Sequence, residues 1–266
     1  MTAVAAAPRR TSHSPALSLS FAHLLKSEAI KILSLRSTWW SLGVTAALSI
    51  GISLLIAAAS NDSAGAFPAV NVVLAPTQFT MLVAGILGAI VVTGEYSTGM
   101  IRSTLTAEPR RGAVLLAKAL VVAVVMAITT VVTYLVAIVL TAPLLTVGLD
   151  WSRPAESLVP LVLGVVSMAA FTLIGLGFGF LLRSGAAAIA ATVGVLFVLP
   201  IVFSMFSFAG PSWQWVVDAA AYLPVNAAAQ LTTPAGDALV QGGITLAAWA
   251  IGPLLLGFVA LRSRDA

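Results

Sequence analysis

The chain of 266 residues has no cysteine. That excludes disulfides, thiolate nucleophiles, thiolate zinc or iron–sulfur sites and thioether-linked haem, and says nothing of redox compartment. Charge is nearly as scarce, at 8% of residues against about 25% in an average soluble domain. With 60% of the chain apolar, the composition argues against a soluble globular protein. Thirteen Lys and Arg against nine Asp and Glu leave a net charge of +4, too thinly spread to form the continuous positive stripe of a nucleic-acid binder. Both histidines, His13 and His23, are amino-terminal, so neither a buried intramembrane triad nor an H-E-x-x-H zinc site can be assembled. The three lysines follow Leu25, Ile30 and Ala117, so the Gly-Lys pair of a phosphate-wrapping Walker A loop is absent. Among the thirteen cations only three are lysine, and alanine is abundant, a composition that hints at a GC-rich bacterial genome.

What is present is apolar length. A helix needs about 20 mainly apolar residues to cross roughly 30 Å of hydrocarbon. Six runs qualify, at about 38–59, 70–93, 113–140, 157–182, 186–208 and 239–261, the third long enough to tilt or project. The runs are continuous rather than alternating, which predicts helices and not a barrel. The expected fold is therefore an all-α integral membrane protein of one six-helix domain over 38–261.

Charge placement predicts its orientation. With the amino terminus in the cytoplasm, inner segments hold twelve of the thirteen cations and only Arg153 lies outside. The outer segments hold Asp62, Asp150, Glu156, Asp218 and Asp237. Both termini are thus expected to be cytoplasmic. Residues 1–18 place small residues before Arg9 and Arg10, the reverse of a signal sequence, and read as a disordered tail. A second cytoplasmic tail is expected at 262–266.

Residues 19–37 are too polar to span but periodic. Ser20, His23, Ser27, Lys31 and Ser34 form one stripe, with Phe21, Leu25, Ala29, Ile32 and Leu33 roughly opposite. This predicts an amphipathic helix in the inner interface, either a simple anchor or one whose polar face also meets a cytoplasmic partner. Trp39 and Trp40 follow where the chain enters the headgroups. The loop at 94–112 (GEYSTGMIRSTLTAEPRRG) is the most polar between spans. Gly94 is expected to end the second span, Glu95 to sit near a new helix start, and Pro109 to close a short helix over Tyr96–Leu105, with Met100, Ile101 and Leu105 as apolar knobs and Arg102 as a charged one. The alternative is a solvated loop whose arginines only set orientation. The outer segment 209–238 has no Lys or Arg but clusters Trp213, Trp215 and Tyr222, predicting half-buried helices at the outer boundary, as a passive anchor or a gate.

No ionisable group lies near the middle of any run, and Lys118, near the start of the third, is expected to snorkel to the surface. Buried polarity is expected to be limited to groups such as Thr77, Gln78, Thr80, Thr129, Thr130, Thr133, Tyr134 and Ser167. Gly175, Gly177 and Gly179 allow close helix approach, either to another span or to another protomer. Pro76, Pro200 and Pro253 each remove a backbone donor inside a span and predict local kinks. Energy, if used, has to come from a partner at the cytoplasmic loops.

At 94–118 the sequence resembles the permease subunits of type-2 ABC exporters, through Glu95, Tyr96, Gly99, Ile101, Arg102, Leu105, Pro109 and Arg111, then Leu116 and Lys118. The lead-in SEAIKILSLRSTWW, with Glu28, Lys31 and Arg36, resembles that family's segment before the first span, and the resemblance in topology covers the whole chain. It implies a bacterial cytoplasmic-membrane subunit, not itself an enzyme, that pairs with a second permease protomer as homo- or heterodimer. It also implies two copies of a separate ABC ATPase. It implies further that no cofactor is bound by this chain and that ATP is bound on the partner subunit. The residues from Glu95 to Arg111 would form the ATPase-coupling site, flanked by the interfacial helix carrying Glu28, Lys31 and Arg36. The path would run between protomers along the second and fifth spans, and export is implied while the substrate is not. A self-contained secondary carrier or channel is the main rival, weakened by the lack of a clear repeat between spans one to three and four to six. A membrane scaffold or sensor component is a third reading.

Overall fold

The computed structural model describes residues 20–60, 67–233 and 238–263. Tail residues 1–18, Asp62, Asp237, Arg264 and the end of the second tail lie outside the described residues. Among the described residues the chain is helical, without strands, and six helical stretches are long and apolar enough to cross a membrane.

Helix α1 (Phe21–Ser34) starts at Ser20, whose hydroxyl accepts from the His23 N–H. One extended residue, Leu35, separates it from α2 (Arg36–Ser60), and the Trp39 indole donates to the Leu33 carbonyl across that corner at 2.8 Å. The second span is broken into α3 (Ala69–Leu74) and α4 (Thr77–Thr98). Pro76 is the cause: it has no N–H to give the Val72 carbonyl four residues back. Ser53 of α2 supplies the missing bond, its hydroxyl donating to Val72 O at 3.0 Å, so the break leaves no orphaned acceptor there.

Gly94 does not end the second span. Helix α4 runs on to Thr98 and stops at Gly99, whose φ of +73° only glycine adopts cheaply. Glu95 therefore sits in the last turn of α4, and the short helix that follows is α5 (Met100–Ala107). Helix α6 (Arg111–Thr141) has 31 residues. At 1.5 Å per residue it is about 46 Å long and outreaches the hydrocarbon core. Helix α7 is Leu158–Leu182, and the fifth span is assembled from α8 (Gly185–Val193), a π turn at Gly194–Val198 and α9 (Leu199–Met205). Pro200 follows that wide turn directly, where its ring and missing N–H disfavour a regular one. Helix α12 (Leu239–Ser263) instead runs through Pro253 without interruption.

The core is the pair α4 and α7, which meet backbone to backbone. A Cβ added at Gly175 would overlap the Gly85 carbonyl, and one at Gly88 would overlap that of Thr172. Gly179 faces Ala89 and Val92, while Gly177 turns the other way onto Pro253 of α12. These glycines are thus used within one chain, between spans, where close approach supplies van der Waals contact that lipid cannot. Accordingly 56% of the apolar window is buried in the second and fourth spans but only 17% in the fifth, which lies at the edge of the bundle.

Beyond the fifth span, Trp213 packs between Phe206 and Trp215, at 5.0 and 6.4 Å between ring centroids. Helices α10 (Gln214–Ala219) and α11 (Pro224–Thr232) follow, and α11 buries Val225, Ala228 and Leu231 against α7 and α12. At this end Arg153 lies 3.6 Å from both Asp150 and Glu156, pairs exposed enough to contribute little.

Candidate coupling site

The helix α1 presents Leu24, Glu28 and Ile32 inward, so a carboxylate, fully buried, occupies the middle of its packed face. Phe21, Ile30 and Leu33 point away from the bundle. Opposite Glu28 stand the last turn of α4 with Glu95 and the second turn of α6 with Lys118. Lys118 does not snorkel: its side chain is 1% exposed. Its ammonium lies 2.5 Å from Glu28 Oε2 and 2.8 Å from Glu95 Oε1. Lys31 closes the figure, at 2.7 Å from Glu28 Oε1 and 3.2 Å from Glu95 Oε1. The four groups form a ring of alternating sign and zero net charge, which is how ionised side chains persist in burial; Lys31, 25% exposed, is its edge toward water. The third donor of Lys31 goes to Thr104 Oγ at 3.1 Å, bringing α5 into the same network. Burial lowers the affinity of Lys31 for its proton, but the Glu28 and Glu95 carboxylates outweigh it and hold the ammonium above its ordinary range. The other oxygen of Glu95, Oε2, is buried without a partner among the described residues.

A second cluster closes the end of α12, whose last carbonyls have no helical N–H to accept. Arg111 donates to Leu261 O, and Arg183 donates to Ala260 O at 2.9 Å. Both guanidiniums also oppose the negative end of the helix. Arg183 sits 5.2 Å from the Tyr96 ring centroid, a cation–π pair that links α12 to the end of α4. To stand there Arg183 adopts φ +55°, a left-handed conformation costing an L-residue roughly 1–2 kcal/mol.

The turn after α5 is held by Glu108, whose carboxylate accepts from Arg110 Nε at 2.8 Å, Nη2 at 2.9 Å and the Arg110 N–H at 3.1 Å. Those bonds hold its carboxyl well below the ordinary 4.5, at about 2. A lowered folded-state pKa gives stability that is present above the ordinary value and lost only as pH falls through about 2. The turn is therefore expected to keep its amide-exchange protection down to about pH 3, whereas Arg110→Ala should lose it near 4.5.

Of the residues expected at this site, the structure brings Glu28, Lys31 and Glu95 together. Ile101 is 2% exposed and Leu105 half-buried, so they pack inward, while Met100 and Arg102 face out. Tyr96 and Arg111 belong to the cluster at the end of α12, Gly99 shapes the turn, and Arg36 and Pro109 are exposed outside the ring. Lys118 as a ring member, Thr104 and Arg183 were missed. The one signal for Lys118 is its depth, two turns into an apolar helix, and that depth alone does not separate turning inward onto a carboxylate from snorkelling.

Comparison with curated proteins returns no match. A family model described as ABC-2 family transporter protein matches residues 16–266, which takes in all six spans, the ring and the α4–α5–α6 segment. The chain is a membrane-spanning transporter component and belongs to the ABC-2 family.

Proposed function

We propose that this chain is the permease subunit of an ABC exporter, driven by a separate ATPase that docks on α5 and on the neighbouring face of α1. The observation that carries the reading is the ring Glu28–Lys118–Glu95–Lys31 with its branch to Thr104. It ties α1 by ion pairs, and α5 by the Lys31–Thr104 hydrogen bond, to the ends of two spans, α4 and α6, so a push on α5 reaches the bundle through this network rather than a slack loop. Between α1 and α5 lies a groove of about 360 Å³, with Ser27, Met100 and Ser103 on its walls, which supports docking there. The cluster of Arg36, Arg102, Arg110, Arg111, Arg183 and Arg262 at this end supports its placement in the cytoplasm. The exposed face of the fifth span supports contact with a second protomer, giving a dimer with two ATPase copies. ATP binds the partner, not this chain. The spans change state only to the extent that the ATPase's two states differ in affinity for this surface.

The test uses outward-facing residues, so that docking and folding separate. Met100→Asp with Arg102→Glu should cut co-purification of the ATPase and transport-coupled ATP hydrolysis about tenfold, roughly 1.4 kcal/mol, without changing the melting temperature of the permease. Full coupling in that variant would refute the docking site. Purification of the chain without any ATPase, in an intact fold, would favour the self-contained carrier.

A further inference from the structure

At the end of the bundle opposite the ring, a cavity of about 260 Å³ opens between the α3–α4 joint, α7 and α11. Its floor is Met81, Ser167 and Phe171, each at most 2% exposed. Its rim carries Asn71 and Gln78, seven residues apart on either side of the Pro76 break and both exposed. Contrary to the sequence reading, Gln78 is therefore not a buried polar group. Neither carboxamide is hydrogen-bonded within the described structure, whereas the hydroxyls of Thr77, Ser167, Thr232 and Thr233 are all engaged. Two carboxamides without a protein partner at the mouth of an apolar cavity leave donors and acceptors available to a molecule that enters it. Irregular backbone within a span is tolerated where it lines a cavity, as the α3–α4 joint does here.

We propose that this cavity binds an uncharged amphipathic molecule, its hydrogen-bonding head on Asn71 and Gln78 and its apolar body on Met81, Phe171 and Val225. Charge is selected against because, among the described residues, no ionisable side chain lines the cavity, so an ionised head drawn in over Met81 and Phe171 would lose water without gaining a counter-charge. The volume sits near the lower bound of ligand cavities, about 300 Å³, so the site takes a head and the first part of a chain rather than a whole phospholipid. That the occupant is cargo rests on the transporter reading; that it binds does not.

The experiment is photolabelling of the full chain in lipid nanodiscs with a ten-carbon alcohol bearing a diazirine, and with the carboxylate and trimethylammonium analogues of the same chain. Adducts are mapped by mass spectrometry. The alcohol should label 77–81 and 225–233 above the lipid-facing residues Val139 and Leu255, and each charged analogue about tenfold less. Asn71→Leu with Gln78→Leu, both on the exposed rim, should lower labelling by the alcohol about tenfold at an unchanged melting temperature. Ala228→Phe, which fills the cavity, should remove it whatever the head. Equal labelling by all three probes, labelling no stronger than at Val139, or no effect of the rim variant would overturn the proposal. The readout needs no ATPase, so a negative result here leaves the coupling reading standing.

Discussion

Lys118→Met should destabilise the protein by about 3–5 kcal/mol, the range for removing one partner of a buried ion pair. The variant leaves the buried Glu28 and Glu95 facing a single ammonium, Lys31, with one negative charge uncompensated. Removing one charge of each sign is a different case. Glu28→Gln combined with Lys118→Met keeps the Glu95–Lys31 pair and a neutral site, and should recover about 1–3 kcal/mol of the loss. Denaturant unfolding in mixed micelles, followed through the tryptophans, measures both. A single variant as stable as the parent would mean that water reaches the two buried acids and that the ion pairs are not the ring's cement.

Gly175→Leu is expected to cost at least as much as the overpacking of a tight core, about 1–3 kcal/mol and more where backbone is hit. The obstacle is the carbonyl of Gly85 on α4, which cannot rotate away as a side chain would. Relief requires α4 and α7 to separate along their whole contact, taking Gly88 and Gly179 with them. Gly94→Ala provides the contrast: it lies inside α4 with nothing within 4 Å of the added methyl. It should stabilise by up to about 1 kcal/mol, the helix-propensity difference. Thermal unfolding of the two variants under one condition gives the comparison, and equal effects would refute the packing argument.

The six spans were legible because the requirement behind them is local: some twenty apolar residues in a row satisfy the bilayer whatever they pack against. The glycines of α7 announced close approach for the same reason, although which neighbour each met was decided by three dimensions. The ring was not legible. Its members stand at 28, 31, 95 and 118, and nothing in the spacing says that a lysine near a span end turns inward rather than snorkels. Burial of both acids beside it decides the matter. Gly94 was misread through the same locality: its helix cost of about 1 kcal/mol is small beside the packing that carries α4 on to Glu95, and the stop falls at Gly99 instead. Arg111, expected at the coupling surface, is drawn onto Leu261 O, beside Arg183 on Ala260 O, because the last carbonyls of α12 lie past its regular hydrogen-bond ladder. Pro76 foretold a kink, but neither the rescue of Val72 by Ser53 nor the cavity at the joint could be read without the fold.

The account's central claim is that motion of α5 reaches the spans through the ring. The direct measurement is the nucleotide-dependent change in spin-label distances between paired protomers in the complex with the ATPase, with one label site at Thr106 on α5, exposed and outside the groove, and another at Val139 near the far end of α6. In the parent both distances should change on ATP binding. In the charge-balanced Glu28→Gln, Lys118→Met variant the Thr106 distance should still change while the Val139 distance stays still. A full change at Val139 in that variant would contradict the account.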